Sequence, residues 1–302
     1  MIIGISGKIG SGKDTIGSII QYLIWRTYYS NPEFPAISER HFKEYKYSLL
    51  PLDSTFQIKK FADKLKDIVC LLTGCTREQL EDAKFKDTEI GEDWVRYAYA
   101  IGYGTRNEET LMWSNTCTKE EYEEHYRINW QTAYKKNLTY RDLLQLLGTE
   151  CGRNTIHPNI WINSLMSDYL PNIKNLEQFG IDFFKNKGYN REDLKNSNFE
   201  LYKEVKAELF KQITDTCPNW IITDCRFSNE LEAIKDRNGI SIRVNRLNKY
   251  EESFKAVYDK TQEHPSEIAL DNAIFDYTID NNGSIEELID KVKEILIKEN
   301  II

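Results

Sequence analysis

The sequence predicts an α/β protein: a parallel sheet flanked by helices, with a helical insertion. Three observations predict it. The chain opens on a short apolar run, Met1 to Ile5, followed by a glycine-rich turn and a stretch of helical periodicity. Toward the C-terminus, apolar runs again alternate with amphipathic stretches. Between the two ends, residues from about Thr76 to Asn137 are crowded with charge and aromatics and carry helix-like patches that a minimal sheet does not need.

The first run is short enough for a buried strand. After the turn, Ile16, Ile19, Ile20, Leu23 and Ile24 recur at helical spacing and mark a helix packed by one face. Far downstream, Asn219 to Asp224 reads as a strand ending in an acid. Glu230, Leu231, Ala233 and Ile234 follow in a short helix closed by Gly239, and Ile240 to Val244 is the next strand. Tyr277 to Ile279 is a last strand, Asp280 to Gly283 a turn, and Ser284 with Glu287 a capping box. The final helix repeats Leu288, Val292, Ile295 and Leu296 on one face. The organisation expected is one domain over residues 1–302, with an inserted helical subdomain or lid at 76–137. Asn172 to Thr216 adds an extended polar helical connection.

The turn itself, Gly7-Lys8-Ile9-Gly10-Ser11-Gly12-Lys13, has the spacing of a phosphate-binding loop. Closely spaced glycines let backbone N–H groups turn inward around a phosphate, and the following helix points its positive end at the anion. Lys13 adds a mobile charge. The pattern asks for Ser or Thr next, yet Asp14 stands there and Thr15 follows. A magnesium ligand is therefore open between two residues: the Thr15 hydroxyl, or Asp14 through water.

Composition narrows the function classes. The formal net charge of −8 argues against a duplex nucleic-acid binder, which needs a basic face. Six cysteines form no CxxC pair and no zinc-type spacing with the four histidines, which suits reduced thiols in a cytosol rather than zinc or a disulfide framework. No apolar stretch approaches the ~20 residues that span a bilayer.

Four further segments follow the GSGKDT loop in order: FADKLKDIV from Phe61, YRDLLQLLGTECGR from Tyr140 with NIWI beyond it, ITDCRFSNELEAI from Ile222, and EHPSEIALD from Glu263. In this order they resemble the deoxynucleoside monophosphate kinases of bacteriophages. The resemblance implies the P-loop kinase fold with a mobile lid, and phosphoryl transfer from ATP, with Mg²⁺, to a deoxynucleoside monophosphate. It also implies a cytoplasmic setting, that of the host if the source is viral.

Gly10, Ser11, Gly12, Lys13, Asp14 and Thr15 would then hold ATP, with Arg246 packed against adenine. Asp224, Arg226 and Glu230 would contact the monophosphate, and Lys66, Arg141, Gln145, Gly148, Thr149, Arg153 and Trp161 would complete the acceptor site. Two residues after a strand-end acid, an arginine can grip a phosphate through two parallel hydrogen bonds. Lys13, Asp224 and Arg226 carry the catalytic assignment, because such transfer relies on positioning and charge. His264, in a loop the family shares, takes no catalytic role.

Two other readings stay open. A dephospho-coenzyme A kinase shares the loop but leaves RDLLQLLGTE and DCRFSNE without a role. A nucleotide-binding switch would need a DxxG and an NKxD; Asp224-Cys225-Arg226-Phe227 lacks the glycine and Asn248-Lys249-Tyr250-Glu251 ends in Glu. The aromatic insertion could serve a homodimer.

Overall fold

Strands buried on both faces read as continuous apolar runs, and the middle of the sheet is built from such runs. The computed structural model describes residues 1–28, 38–47, 56–99, 116–129, 133–173, 176–188, 199–246 and 268–302. His264 and the stretch Asn248 to Glu251 lie outside the described residues.

In chain order the elements begin with β1 (Ile2–Gly7), α1 (Lys13–Tyr28), α2 (Glu39–Tyr47) and β2 (Phe56–Lys59). Then come α3 (Asp63–Thr73), α4 (Arg77–Glu81), α5 (Ala83–Lys86), β3 (Val95–Tyr99), α6 (Lys119–Asn129), β4 (Ala133–Asn137) and α7 (Tyr140–Gln145). A π-helical segment, Leu146–Ile156, leads to α8 (Ile160–Met166), α9 (Leu176–Asn186) and α10 (Phe199–Asp215). The chain closes with β5 (Asn219–Cys225), α11 (Ser228–Lys235), β6 (Ile240–Asn245), β7 (Tyr277–Asp280) and α12 (Ile285–Lys298). Two compact units result: Met1–Phe61 with Ile162–Ile302, and Ala62–Trp161.

The first unit is the α/β fold. Its five strands run in the order β2-β5-β1-β6-β7, and every pairing is parallel. Side chains alternate across the sheet. Ile3, Ile5, Ile221, Ile242, Val244 and Ile279 face one way into a core closed by α1 and α12. Ile2, Trp220 and Ile222 face the other way, against Leu231 and Ile234 of α11 and Ile162 and Leu165 of α8. The periodicity of α1 is realised in full, with Ile16, Ile19, Ile20, Leu23 and Ile24 all buried.

On α12 the Ser284 hydroxyl accepts from Glu287 N at 3.2 Å, which is the serine half of the expected capping box. That helix buries Leu288, Ile289, Val292, Ile295 and Leu296, each worth at most roughly 1.5–3 kcal/mol relative to exposure. A smaller cluster joins α9 to α10 through Phe183 and Val205, so the 172–216 stretch is helical where it is described.

One close approach positions the site. A Cβ on Gly17 of α1 would lie 2.8 Å from Thr223 Cγ2 and 3.6 Å from Ile221 Cγ2. Its absence lets the first turns of α1 lie down on β5. The turn after α11 differs from expectation: Asn238 takes the left-handed conformation at φ 54°, and Gly239 N donates to Ile234 O at 3.0 Å. Asn is the non-glycine residue that best tolerates this geometry.

The second unit contains the 76–137 stretch but extends beyond it, from Ala62 to Trp161. It is not purely helical. Strands β3 and β4 pair antiparallel, Val95 opposite Asn137 through Tyr99 opposite Ala133. A core of Val69, Cys75, Leu80 and Leu143 ties α3, α4 and α7 together.

Candidate active site

The loop after β1 has the backbone that phosphate cradling requires. Gly10 and Gly12 sit at φ 75° and 100°, a region closed to most side chains. Ser11 N donates to Lys8 O at 3.2 Å, tightening the turn, and Ile16 N donates to Gly12 O at 3.0 Å, starting the α1 ladder. The Ser11 hydroxyl is buried with no hydrogen-bond partner among the described residues, an orphan inside the cradle. Lys13 folds back over the loop, its Nζ donating to Gly7 O at 2.6 Å and Lys8 O at 2.8 Å. Asn281, in the turn after β7, donates from Nδ2 to Ser11 O at 2.8 Å and braces the loop from behind. Arg246, just beyond β6, reaches Gly10 O at 3.3 Å with Nη1.

Asp14, the departure from the loop pattern, is engaged. Its Oδ1 accepts from the Thr223 hydroxyl at 2.7 Å and lies 3.2 Å from Lys60 Nζ. Burial works to raise its carboxyl; the Thr223 hydroxyl and the Lys60 ammonium outweigh it and hold the group below the usual carboxylate range. Thr15, one residue on, is half-buried in the first turn of α1.

At the carboxyl end of β5, Asp224 Oδ1 accepts from Phe61 N at 2.8 Å. Glu230 is almost fully buried, and its Oε2 accepts from Arg226 N at 2.7 Å and Phe227 N at 3.1 Å. It satisfies two donors at the start of α11 and fixes the backbone that carries Arg226. Burial pushes the neighbouring Cys225 thiol up, and the Glu230 and Asp224 carboxylates add to the effect. Loop, Asp14, Thr223, Asp224 and Arg226 thus stand at the carboxyl ends of β1 and β5, where open α/β sheets bind ligands.

The other predicted residues lie in the second unit. Lys66 on α3 donates to Glu81 Oε1 at 2.5 Å, within a cluster where Arg77 also pairs with Asp63 at 2.7 Å. Arg141 on α7 grips Asp87 with two bonds, 2.5 Å from Nε and 3.2 Å from Nη2, which lowers the Asp87 carboxyl. Gln145 is exposed at the end of α7, and Thr149 and Arg153 are half-buried in the π-helical segment.

Gly148 and Trp161 form a structural pair. The buried indole Nε1 of Trp161 donates to Gly148 O at 2.8 Å, and a Cβ on Gly148 would sit 2.9 Å from Leu65 Cδ2. Packing therefore accounts for the glycine and the tryptophan that follow the leucines.

Sequence reasoning missed Lys60, Thr223 and Asn281. Thr223 precedes the strand-end acid and could have been found there; Lys60 and Asn281 reach the loop from distant segments.

No protein-family profile matches the chain. The deoxynucleoside-5'-monophosphate kinase of Escherichia phage T5 is 23% identical to it over 177 residues, covering 54% of this chain and 60% of that protein. The chain therefore spans about 60% of the length of the relative it matches. The likeness is distant and covers only part of either protein.

Proposed function

We propose that the protein transfers the γ-phosphoryl group of ATP to a deoxynucleoside monophosphate, releasing the diphosphate and ADP. The observation that carries this reading is the glycine cradle with Lys13 folded over it, beside Asp224 and Arg226 at the carboxyl edge of a parallel sheet. An acceptor phosphate oxygen attacks the γ-phosphorus, and the bond to the ADP oxygen breaks with its electron pair leaving on ADP. The protein supplies charge and position.

Lys13 exchanges its two loop carbonyls for the β- and γ-phosphate oxygens. Arg226 holds the acceptor phosphate with its planar fork. Glu230 acts chiefly on the backbone that presents Arg226, and Asp224, which also holds Phe61 N, stands beside it at the acceptor phosphate. Lys66, Arg141, Gln145, Thr149 and Arg153 are assigned to the acceptor on the resemblance, and Gly148 with Trp161 shapes the segment that carries Thr149 and Arg153. Arg246, at the rim of the loop, suits the adenine.

The residues present also fit magnesium. Asp14 is committed to Thr223 and Lys60, which leaves the Thr15 hydroxyl as the protein ligand. Among the described residues no group of three His, Cys, Asp or Glu forms a metal cage. Magnesium bound to a nucleotide needs none, since phosphates and water fill most of its shell. When bound, the ion neutralises charge on the transferring group. Among the described residues no helix is long and apolar enough to cross a membrane.

The test is ADP release measured across the four deoxynucleoside monophosphates, their ribose counterparts and dephospho-coenzyme A. Turnover with a deoxynucleoside monophosphate that Lys13→Ala abolishes supports the reading. Arg226→Ala should lose about a hundredfold in kcat/KM for the acceptor, from ~3 kcal/mol of charged bidentate contact, with ATP affinity unmoved. Turnover only with dephospho-coenzyme A, or nucleotide binding without any turnover, would overturn it.

A further inference from the structure

Parallel pairing brings a residue to the loop that neither the loop pattern nor the resemblance includes. In the β2–β5 register Lys59 lies opposite Ile222, so Lys60, the first residue beyond β2, comes level with Thr223 near the carboxyl end of β5. Both turn to the same atom. Thr223 Oγ1 donates to Asp14 Oδ1 at 2.7 Å, and Lys60 Nζ lies 3.2 Å from that oxygen. The Lys60 side chain is 23% exposed, whereas that of Asp14 is 70% exposed at the open end of α1.

The charge arithmetic gives this contact a meaning. The loop from Gly7 to Thr15 carries Lys8 and Lys13 as cations and Asp14 as an anion. Where the pattern expects a neutral hydroxyl, Asp14 takes one unit of positive charge away from the place a polyphosphate would occupy. An exposed ion pair contributes little stability, so Lys60 is not explained as a staple. Its effect is to return the missing charge to the phosphate site. Thr223 fixes the carboxylate, the carboxylate aims the ammonium, and the low exposure of the Lys60 side chain limits where it can go.

We propose that Lys60 is a second lysine of the phosphate site, aimed by Asp14, and that it contacts the polyphosphate of the nucleotide together with Lys13. The inference rests on the kinase reading, because it assumes that the loop receives a nucleoside triphosphate. Lys60 is a binding residue; Asp14 and Thr223 are positioning residues that act through it.

The experiment is equilibrium titration of ATP in magnesium-free buffer, at two salt concentrations, into the full-length parent protein and into Lys60→Met, Lys60→Gln and Lys60→Arg. Omitting magnesium isolates the protein cations from the metal. Lys60→Met and Lys60→Gln should weaken ATP about tenfold, the low end for a contact to a charged group. They should also show a shallower salt dependence than the parent. Lys60→Arg should keep most of the affinity. The effect of Asp14→Asn on ATP affinity should be more favourable in the Lys60→Met background than in the parent, because there the tether has nothing left to aim while the carboxylate's repulsion is still removed.

Urea unfolding midpoints matching the parent assign any lost affinity to the site rather than to the fold. Unchanged ATP affinity in both neutral variants would overturn the role of Lys60, and a parent that turns over would leave the kinase reading standing. A parent that binds no ATP would overturn both.

Discussion

Replacing Glu230 by alanine separates a substrate contact from a structural one. The carboxylate is 1% exposed, and its Oε2 takes hydrogen bonds from Arg226 N and Phe227 N at 2.7 and 3.1 Å. Glu230→Ala removes that acceptor from two donors at the start of α11, each worth about 1–3 kcal/mol when left without it. Removing a buried charge returns part of that cost. The net expectation is a loss of about 2–3 kcal/mol, read as a lower urea midpoint at unchanged slope. Glu230→Gln keeps a neutral acceptor of the same shape and should cost about 1 kcal/mol. Both variants should also lose acceptor affinity, because Arg226 rides on the freed backbone. Parent-like stability in Glu230→Ala with acceptor affinity abolished would refute this reasoning and make Glu230 a direct ligand.

Two further outcomes follow from particular geometries. Gly12→Ala places a methyl at φ 100° and 2.5 Å from Asn281 Nδ2; calorimetry should show ATP affinity down by more than about tenfold while the urea midpoint falls by only about 1–2 kcal/mol of stability. Burial works to raise Asp142 at the start of α7, but Lys136 at 2.6 Å and the Thr139 backbone and hydroxyl hold it below the usual range. A carboxylate with a depressed native pKa stabilises in full above its unfolded value of about 3.9, and the gain disappears as pH falls through the native value. The stability gap between parent and Asp142→Asn should therefore be full at pH 7 and shrink as pH falls below about 4, measured by urea unfolding across that range.

The two ends of the chain were legible because burial on both faces makes β1, β5 and β6 predominantly apolar, with Ile2 to Ile5 and Trp220 to Ile222 as their clearest runs. Strand β2 gave no such signal. It is four residues at the edge of the sheet, and the alternation of Phe56 and Ile58 with Gln57 and Lys59 is too short to stand out. The pair β3 and β4 was hidden likewise, since Arg96, Lys135 and Lys136 make it look like solvated helix. The cap at α11 escaped because Phe227, three residues before Glu230, has no side-chain oxygen and breaks the Ser/Thr-x-x-Glu signature. Within the acceptor set, residue type alone could not separate Trp161, whose indole is spent on Gly148 O, from Arg226 at the sheet edge.

Asp14 shows most sharply what one-dimensional reading lacks. On the sequence it competes with Thr15 for magnesium, and nothing local decides between them. The decision comes from residues 46 and 209 positions away, Lys60 and Thr223, which converge on its Oδ1. They can do so because Gly17 lets α1 settle against β5, and because parallel pairing of β2 with β5 brings their ends level. A carboxylate so occupied is a poor first ligand for an ion that demands near-octahedral oxygen geometry. The ligand we propose is therefore Thr15, one position later than the usual pattern places it. If so, Thr15→Val raises the magnesium concentration needed for half-maximal turnover more than Asp14→Asn does, and the reverse order would return the metal to Asp14.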